Sequence, residues 1–375
     1  MILEFLHRVA DIFVEYFGSP ADESAIKDNF STVYQLLEEM VDYGWPLTTE
    51  PNALKAMIRP PSVMSKLQSV VFSNTAVSDE LPRGTISNIP WRAAGVSYSQ
   101  NEIYMDIVEE IDAIVDAVTG NLISSDVSGS IQCQSHLSGV PDLLLTFNDP
   151  SLIDDWSFHP CVRYSRYEKE QVVSFVPPDG NFQIMKYSIS AERRADFSPP
   201  LDCNSQWNVN KNDNAFAGDK QPTESSARLM VQVQVKSLSS LIKSATRTAG
   251  GIRTVIEDVA VTIPLPKEVR TAQFQVSIGS IVYDEAGKIA KWTLGKMADD
   301  ASTTRAQLTA NLKLNPQKLD DDDIRSPNLS LHWKIPLASV SGLSVSGLSL
   351  TGEAYRPYKG VRNITKSGLY QVRYS

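Results

Sequence analysis

The apolar residues of this chain change their spacing once, and that change limits what the chain can build. Near the start they recur every three to four positions. Ile2, Phe5, Leu6, Val9, Ile12, Phe13, Tyr16 and Phe17 form one helical stripe, stopped by Gly18-Ser19-Pro20. Ile26, Phe30, Val33, Tyr34, Leu37, Met40 and Val41 form a second, closed by Gly44. Its start is poorly marked, because neither Asp22 with Ala25 nor Ser24 with Lys27 makes a reciprocal capping pair. A short third helix is predicted after Thr49, with Glu50 and Pro51 in its first turn, where a missing N–H costs nothing. It turns Leu54, Met57 and Ile58 inward and ends before Pro60-Pro61. Faces this wide pack on each other as a small bundle, or form a helical layer whose sheet lies elsewhere.

Beyond a Ser-, Thr-, Asn- and Pro-rich linker, the period becomes two. Strands are predicted for Glu102 to Ile114, Gly129 to Leu137, Asp142 to Phe147, Val172 to Val176 and Phe182 to Ser188. They continue with Met230 to Val235, Val255 to Ile263, Ala272 to Val282, Ala290 to Leu294 and Ala306 to Leu312. Leu329 to Ile335, Gly342 to Leu350 and Leu369 to Tyr374 complete the set. Short strands separated by turns such as Asp179-Gly180 and Ala286-Gly287 make sandwiches or barrels. Asn208 to Ser226 and Asn315 to Pro327 read as solvated loops. The Asp320 to Asp323 run lacks the Gly and the terminal Glu of a calcium loop.

Composition narrows the function classes. With 375 residues, 42% hydrophobic and 21% charged, the chain has room for about two or three ordinary globular domains. No apolar run reaches the roughly 18 residues of a spanning helix. Glu4, His7, Arg8 and Asp11 interrupt any leader-like stretch, so a cytosolic location is expected. Cys133, Cys161 and Cys203 are scattered and read as buried thiols. A net charge of -9 argues against nucleic acid as a partner. No phosphate-binding loop, nucleophile elbow or His-Glu-x-x-His motif occurs, and no metal, cofactor or catalytic residue is expected. His159 and Cys161 share a strand face in Phe158-His159-Pro160-Cys161, but nothing nearby supplies an orienting Asn or an oxyanion donor.

Several ordered blocks carry a resemblance. They are Asn88-Ile89-Pro90-Trp91-Arg92, Gly95-Val96-Ser97-Tyr98, Asn101 to Glu109, Val127-Ser128-Gly129 and Leu137 to Asp142. Phe158 to Arg163, Ser174 to Phe182, Gly352-Glu353, Lys359-Gly360-Val361-Arg362 and Thr365 to Tyr370 follow in the same order. Together they resemble the mu homology domain of adaptor-complex medium subunits. Val108 to Ile114 and the Lys-Gly-Val-Arg form of the last strand are most similar to the adaptor complex 3 branch. Phe5-Leu6, Tyr16-Phe17-Gly18, Ile26 to Phe30, Tyr34 to Met40 and Pro46 to Pro51 resemble the end of that family's longin domain.

The resemblance implies a mainly β protein: an elongated, immunoglobulin-like pair of sandwiches preceded by the helical remnant of a longin domain. Its expected boundaries are 1–60 for the longin part, 61–87 for the linker and 88–375 for the mu homology domain. Within the last, subdomain A takes about 88–192 and 340–375, and subdomain B about 193–339. A complete longin domain opens with strands, so the chain is expected to begin part-way through one, leaving its helical stripes open to solvent. Implied partners are two large and one small adaptor subunit, a small GTPase that recruits the complex, and Tyr-x-x-Φ tails of membrane proteins, Φ being bulky and apolar. The implied place is the cytoplasmic face of Golgi and endosomal membranes and vesicles, serving lysosome or vacuole traffic.

Such a signal binds extended, adding a strand to a sheet edge. By resemblance, Tyr104 walls the tyrosine pocket, Asp106 accepts the phenol hydroxyl and Arg362 lies against the ring. Tyr104 and Asp106 are two apart on one strand and so share a face. A phosphotyrosine would meet Asp106 as like charge. Ile103, Met105, Val345, Leu348 and Val361 are implied for the Φ pocket. Two positions depart from the plasma-membrane branch: Gly360 replaces a Trp, and Gln134 replaces a Lys. They keep a second reading open, an assembly scaffold without cargo binding. Arg163, Arg166 and Lys169, and Lys236, Lys243 and Arg247, read as solvated faces rather than lipid sites.

Overall fold

A computed structural model describes residues 2–61, 89, 91–189, 199–210, 225–236, 255–298, 305–315 and 325–374. Most of the linker, the middles of the two polar loops, and Lys243 and Arg247 lie outside these residues. Four helices come first: α1 (Ile2–Phe17), α2 (Glu23–Asp28), α3 (Phe30–Met40) and α4 (Pro51–Met57). The second stripe is therefore two helices. The break falls at Asn29, which leaves helical geometry to end α2 and begin α3. Asp22 does cap α2, its Oδ1 accepting the Ala25 N–H at 2.9 Å. What Gly44 closes is a small hairpin of β1 (Val41–Asp42) and β2 (Trp45–Pro46). Tyr43 and Gly44 both have positive φ, 46° and 86°, the geometry of a tight two-residue turn.

Ile12, Tyr16, Leu36, Met40, Leu54 and Ile58 form the helical core. Tyr16 Oη donates to the Ile58 carbonyl at 3.0 Å, and Lys55 pairs with Glu15. Other stripe residues, including Ile2, Leu6, Phe30 and Tyr34, are exposed.

The rest is β-structure. Its strands are β3 (Glu102–Asp116), β4 (Leu122–His136), β5 (Asp142–Phe147), β6 (Ile153–Phe158), β7 (Val173–Phe175) and β8 (Gly180–Ile189). Then follow β9 (Leu201–Asn210), β10 (Ser226–Val235), β11 (Val255–Pro264), β12 (Val269–Val276), β13 (Ser280–Asp284) and β14 (Ile289–Ala298). The last are β15 (Arg305–Leu314), β16 (Leu329–Pro336), β17 (Val345–Thr351) and β18 (Tyr358–Arg373). One helix, α5 (Tyr164–Glu170), interrupts them. The segment read as a single strand from Ala272 to Val282 is two, β12 and β13, parted by a bend at 277–279.

Among the described residues a nine-stranded sheet runs β13-β14-β11-β16-β18-β3-β4-β8-β6. A three-stranded sheet, β17-β5-β7, and a four-stranded sheet, β12-β15-β10-β9, accompany it. One core cluster joins residues from all three. Strands β9 to β16 lie in sequence between β8 and β17. The domain's first and last long strands are direct neighbours and run parallel, from Tyr358↔Glu102 to Arg373↔Asp116.

Alternation along β3 shows the logic. Ile103, Met105, Ile107, Ile111, Ala113 and Val115 are buried, while Tyr104, Asp106, Val108, Glu110 and Asp112 take the other face. Each large apolar side chain so buried contributes about 1.5–3 kcal/mol. Glu109 breaks the pattern, a fully buried carboxylate on the core face. Oε1 accepts from the Ser339 hydroxyl at 2.8 Å and from the Ser341 hydroxyl, and Oε2 from the Ser341 N–H at 3.1 Å. These bonds pin the crossover from β16 to β17. Where the chain enters the sandwich, the Trp91 indole donates to the Val176 carbonyl at 2.8 Å. The buried Arg92 guanidinium donates to the carbonyls of Gly139, Pro177 and Leu137.

Candidate functional site

The open face of the large sheet carries a cavity of about 700 Å³ over β18, β3, β4 and the start of β8. Register places its walls. Opposite Tyr104 lie Gly360 on one side and Gln134 on the other; opposite Asp106 lie Arg362 and Gln132. All of these line the cavity, with Asn181, Phe182, Tyr358 and Lys359.

Arg362 grips Asp106 with two parallel bonds: Nε to Oδ1 at 2.8 Å and Nη2 to Oδ2 at 2.5 Å. The hydrogen bonds to Asp106 raise the guanidinium pKa, so Arg362 stays charged. Its side chain remains 60% exposed, leaving much of its planar face open to an incoming ring. Asp106, gripped at both oxygens, still has lone pairs for a further donor, since a carboxylate offers about four acceptor positions.

The Tyr104 ring lies over Gly360, where an added Cβ would come within 2.6 Å of its Cδ1. Glycine is what lets the ring settle there. Tyr358 packs beside it, ring centroids 5.6 Å apart. Tyr104 Oη donates to Glu102 Oε2 at 3.1 Å, and this bond raises its phenol pKa. Glu102 also faces His136 Nδ1 at 3.5 Å.

Of the residues named for the Φ pocket, Ile103 and Met105 fall on the opposite face of β3 and Val345 and Leu348 on another sheet. Ile103 and Met105 expose nothing and belong to the sandwich core; Val361, paired with Met105, is exposed and also lines the cavity. Val345 and Leu348 are half-buried on β17. Lys359 Nζ donates to the Leu348 carbonyl at 2.7 Å, drawing β17 and β18 together at one end. So the structure assembles Tyr104, Asp106, Arg362, Gln134 and Gly360 in one cavity, which Val361 also lines, and buries Ile103 and Met105 behind it. Glu102, Gln132, Asn181, Phe182 and Tyr358 escaped the sequence reading. Counting back by two from Gly360 gives Tyr358, and from Tyr104 and Gln134 gives Glu102 and Gln132, so period two held part of that signal.

His159 and Cys161 do not make a nucleophile pair. His159 Nδ1 accepts the Cys161 backbone N–H at 3.1 Å, and burial pushes the Cys161 thiol well above its ordinary range. No group of three or more potential metal ligands occurs among the described residues. None of the helices there is long and apolar enough to cross a membrane.

Comparison with known proteins bears on the same residues. Residues 89–374, which include every residue of the cavity, match the model of the adaptor complexes medium subunit family. The chain belongs to that family. Over 373 residues this medium subunit is 39% identical to the AP-3 complex subunit mu of Dictyostelium discoideum, covering 100% of this chain and 81% of that one. Over 372 residues it is 39% identical to the AP-3 complex subunit mu-1 of Rattus norvegicus, covering 99% and 81%. The human AP-3 complex subunit mu-1 is 38% identical with the same coverage. These matches run through the helical start as well as the β-structure. Medium subunits are non-enzymatic adaptors of vesicle transport, and the mainly β architecture with leading helices is that of this family.

Proposed function

We propose that this medium subunit reads Tyr-x-x-Φ signals in the tails of membrane proteins, as part of an adaptor complex with two large subunits and one small one. The observation that carries the reading is the two-bond Asp106–Arg362 pair beside the open Tyr104 ring, next to a free strand edge. Strand β16 takes up β18 only from Ile364 onward, and no described strand pairs with 358–363 on that side. An extended peptide can add there.

Strand geometry then accounts for the spacing of the signal. Side chains three apart in an extended peptide point to opposite faces. The tyrosine enters the cavity between Arg362 and Tyr104 with its hydroxyl on Asp106. The Φ side chain drops toward Val361, Val345 and Leu348. A complex of this kind works on Golgi and endosomal membranes, brought there by a small GTPase, and sends cargo toward the lysosome or vacuole.

Titration calorimetry with a Tyr-containing tail peptide tests the site. The expected result is saturable binding that is lost when the peptide tyrosine is replaced by Ala, and lost in Asp106→Ala. Equal heats from all combinations would remove the site. One observation favours a second reading, a scaffold that assembles the complex without binding cargo: Tyr104 already covers Gly360, and Gln134 brings no charge to the cavity. That reading predicts capture of the large subunits with no heat from any peptide.

A further inference from the structure

We propose that α4 is an intramolecular latch: it holds the helical segment on the sandwich and, through His159, sets the position of the cavity wall at Phe182. The second half of this rests on the peptide-binding reading above; the first half does not. The far end of α4 belongs to the helical core, where Leu54 and Ile58 are buried and Tyr16 holds the Ile58 carbonyl. Its near end reaches the sandwich. Glu50, the residue before the first turn, meets His159 with Oε2 2.8 Å from Nε2, and their side chains are only 14% and 2% exposed. Asn52 donates to the Asp179 carbonyl at 3.1 Å, in the turn that leads into β8.

The chemistry of His159 makes this contact specific. Its Nδ1 accepts the Cys161 N–H, so that nitrogen carries no proton and Nε2 must carry one. The ring therefore presents a donor to α4, and a carboxylate at position 50 is a matched acceptor. If α4 moved away, this bond between two nearly buried side chains would be lost. The main chain at His159 is also tied to the sheet: its N–H donates to the Ile184 carbonyl of β8 at 2.9 Å.

From His159 the path to the cavity is one ring long. His159 packs edge-on against Phe182, centroids 5.6 Å apart, and Phe182 lines the cavity with Asn181. Asp179, whose carbonyl takes the Asn52 bond, accepts from Tyr98 Oη at 2.7 Å. Both anchors of α4 thus touch the cavity's β8 wall: Asp179 in the turn that leads into it, and His159, just after β6, through the Phe182 ring and the Ile184 carbonyl. Docking of α4 and occupation of the cavity are then linked, and linkage works in both directions.

The full chain tests this with spin labels at two exposed positions, Glu38→Cys on α3 and Asp154→Cys on β6. The native thiols, all buried, stay unlabelled. A single narrow distance distribution is expected without peptide, broadening in Glu50→Ala/Asn52→Ala but kept in Glu50→Gln, whose amide oxygen still accepts from Nε2. A broad distribution in the parent, or an unchanged one in the double variant, would overturn the latch. Tail-peptide affinity is expected to fall about fivefold or more in the double variant and to hold in Glu50→Gln. Undocking with unchanged affinity would overturn the coupling to Phe182. Absence of peptide binding by the parent would overturn the cargo reading and the coupling with it, while the label distances alone decide whether α4 docks.

Discussion

Two guanidinium groups in this protein sit in regions built on opposite terms. Arg92 lies inside the turn where the chain enters the sandwich, 2% exposed, with its N–H groups spent on the carbonyls of Gly139, Pro177 and Leu137. Among the described residues it forms no ion pair, and burial lowers its pKa against the opposing pull of nearby Asp179 and Glu353. Arg362 lies on the open face, paired with one carboxylate and otherwise in water. The carboxylates of β3 repeat the contrast. Glu109 is buried among hydroxyl and amide donors; Asp106, three residues earlier and on the other face, meets Arg362. A charge used for architecture is enclosed by neutral dipoles from the backbone and from serines. One on the open face is left with a single charged partner and access to solvent.

The contrast breaks most visibly at Arg92. Arg92→Ala leaves three carbonyls without their donor and is expected to cost about 3 kcal/mol or more in stability, read by denaturant unfolding. Arg92→Lys should recover only part, because an ammonium does not reproduce the planar fork. A neutral result for both would put the two arginines in one class.

Glu109 gives the next effect and a pH signature. Burial raises its pKa against the opposing hydrogen bonds of Ser341 and Ser339. The folded protein then holds this proton when the unfolded chain has released it, so the group's contribution falls as pH rises from the ordinary 4.5 through the folded value. Urea midpoints measured from pH 5 upward should decline in the parent and flatten in Glu109→Gln. Glu109→Ala should lose about 2 kcal/mol.

On the open face the expectation reverses. Asp106→Ala and Arg362→Ala should each shift stability by about 1 kcal/mol or less, since exposed pairs contribute little, yet abolish tail-peptide binding. A peptide phosphorylated on its tyrosine should fail likewise, as like charge at Asp106. Gly360→Ala should have the smallest effect. The new Cβ pushes the Tyr104 ring aside, and the change in peptide affinity should stay within about tenfold, measurable by calorimetry.

How much of this could be read from the residues follows from which interactions are local. The stripe of α1 and the inward turn of Leu54 and Ile58 were legible because helical spacing is a short-range signal. The shared face of Tyr104 and Asp106 was legible for the same reason on a strand. The contact of Asp106 with Arg362 spans 256 residues and depends on parallel pairing, which no local pattern encodes; only family resemblance suggested it. Strand β9 was missed because Cys203 and Ser205 fill its buried positions where aliphatic residues would have signalled a strand. Strand β6 was missed because it is an edge with Asp154 and Asp155 in it. Period two marked only the last residues of β18, because Lys359 to Lys366 is mostly polar, as suits a strand whose outer edge is partly open; its Lys359 to Arg362 part came from the resemblance. Asn29 gave no warning of the helix break, since the apolar stripe runs straight through it.

The parallel neighbourhood of β3 and β18 has a consequence for how the protein comes into being. The cavity face is stitched from strands that emerge from the ribosome at opposite ends of the domain's synthesis. Until Tyr358 to Arg373 is released, β3 has no partner on that side, and neither the Arg362 grip nor the open edge exists. A nascent or prematurely stopped chain therefore lacks the cavity, and on the cargo reading proposed above it would bind no tail peptide.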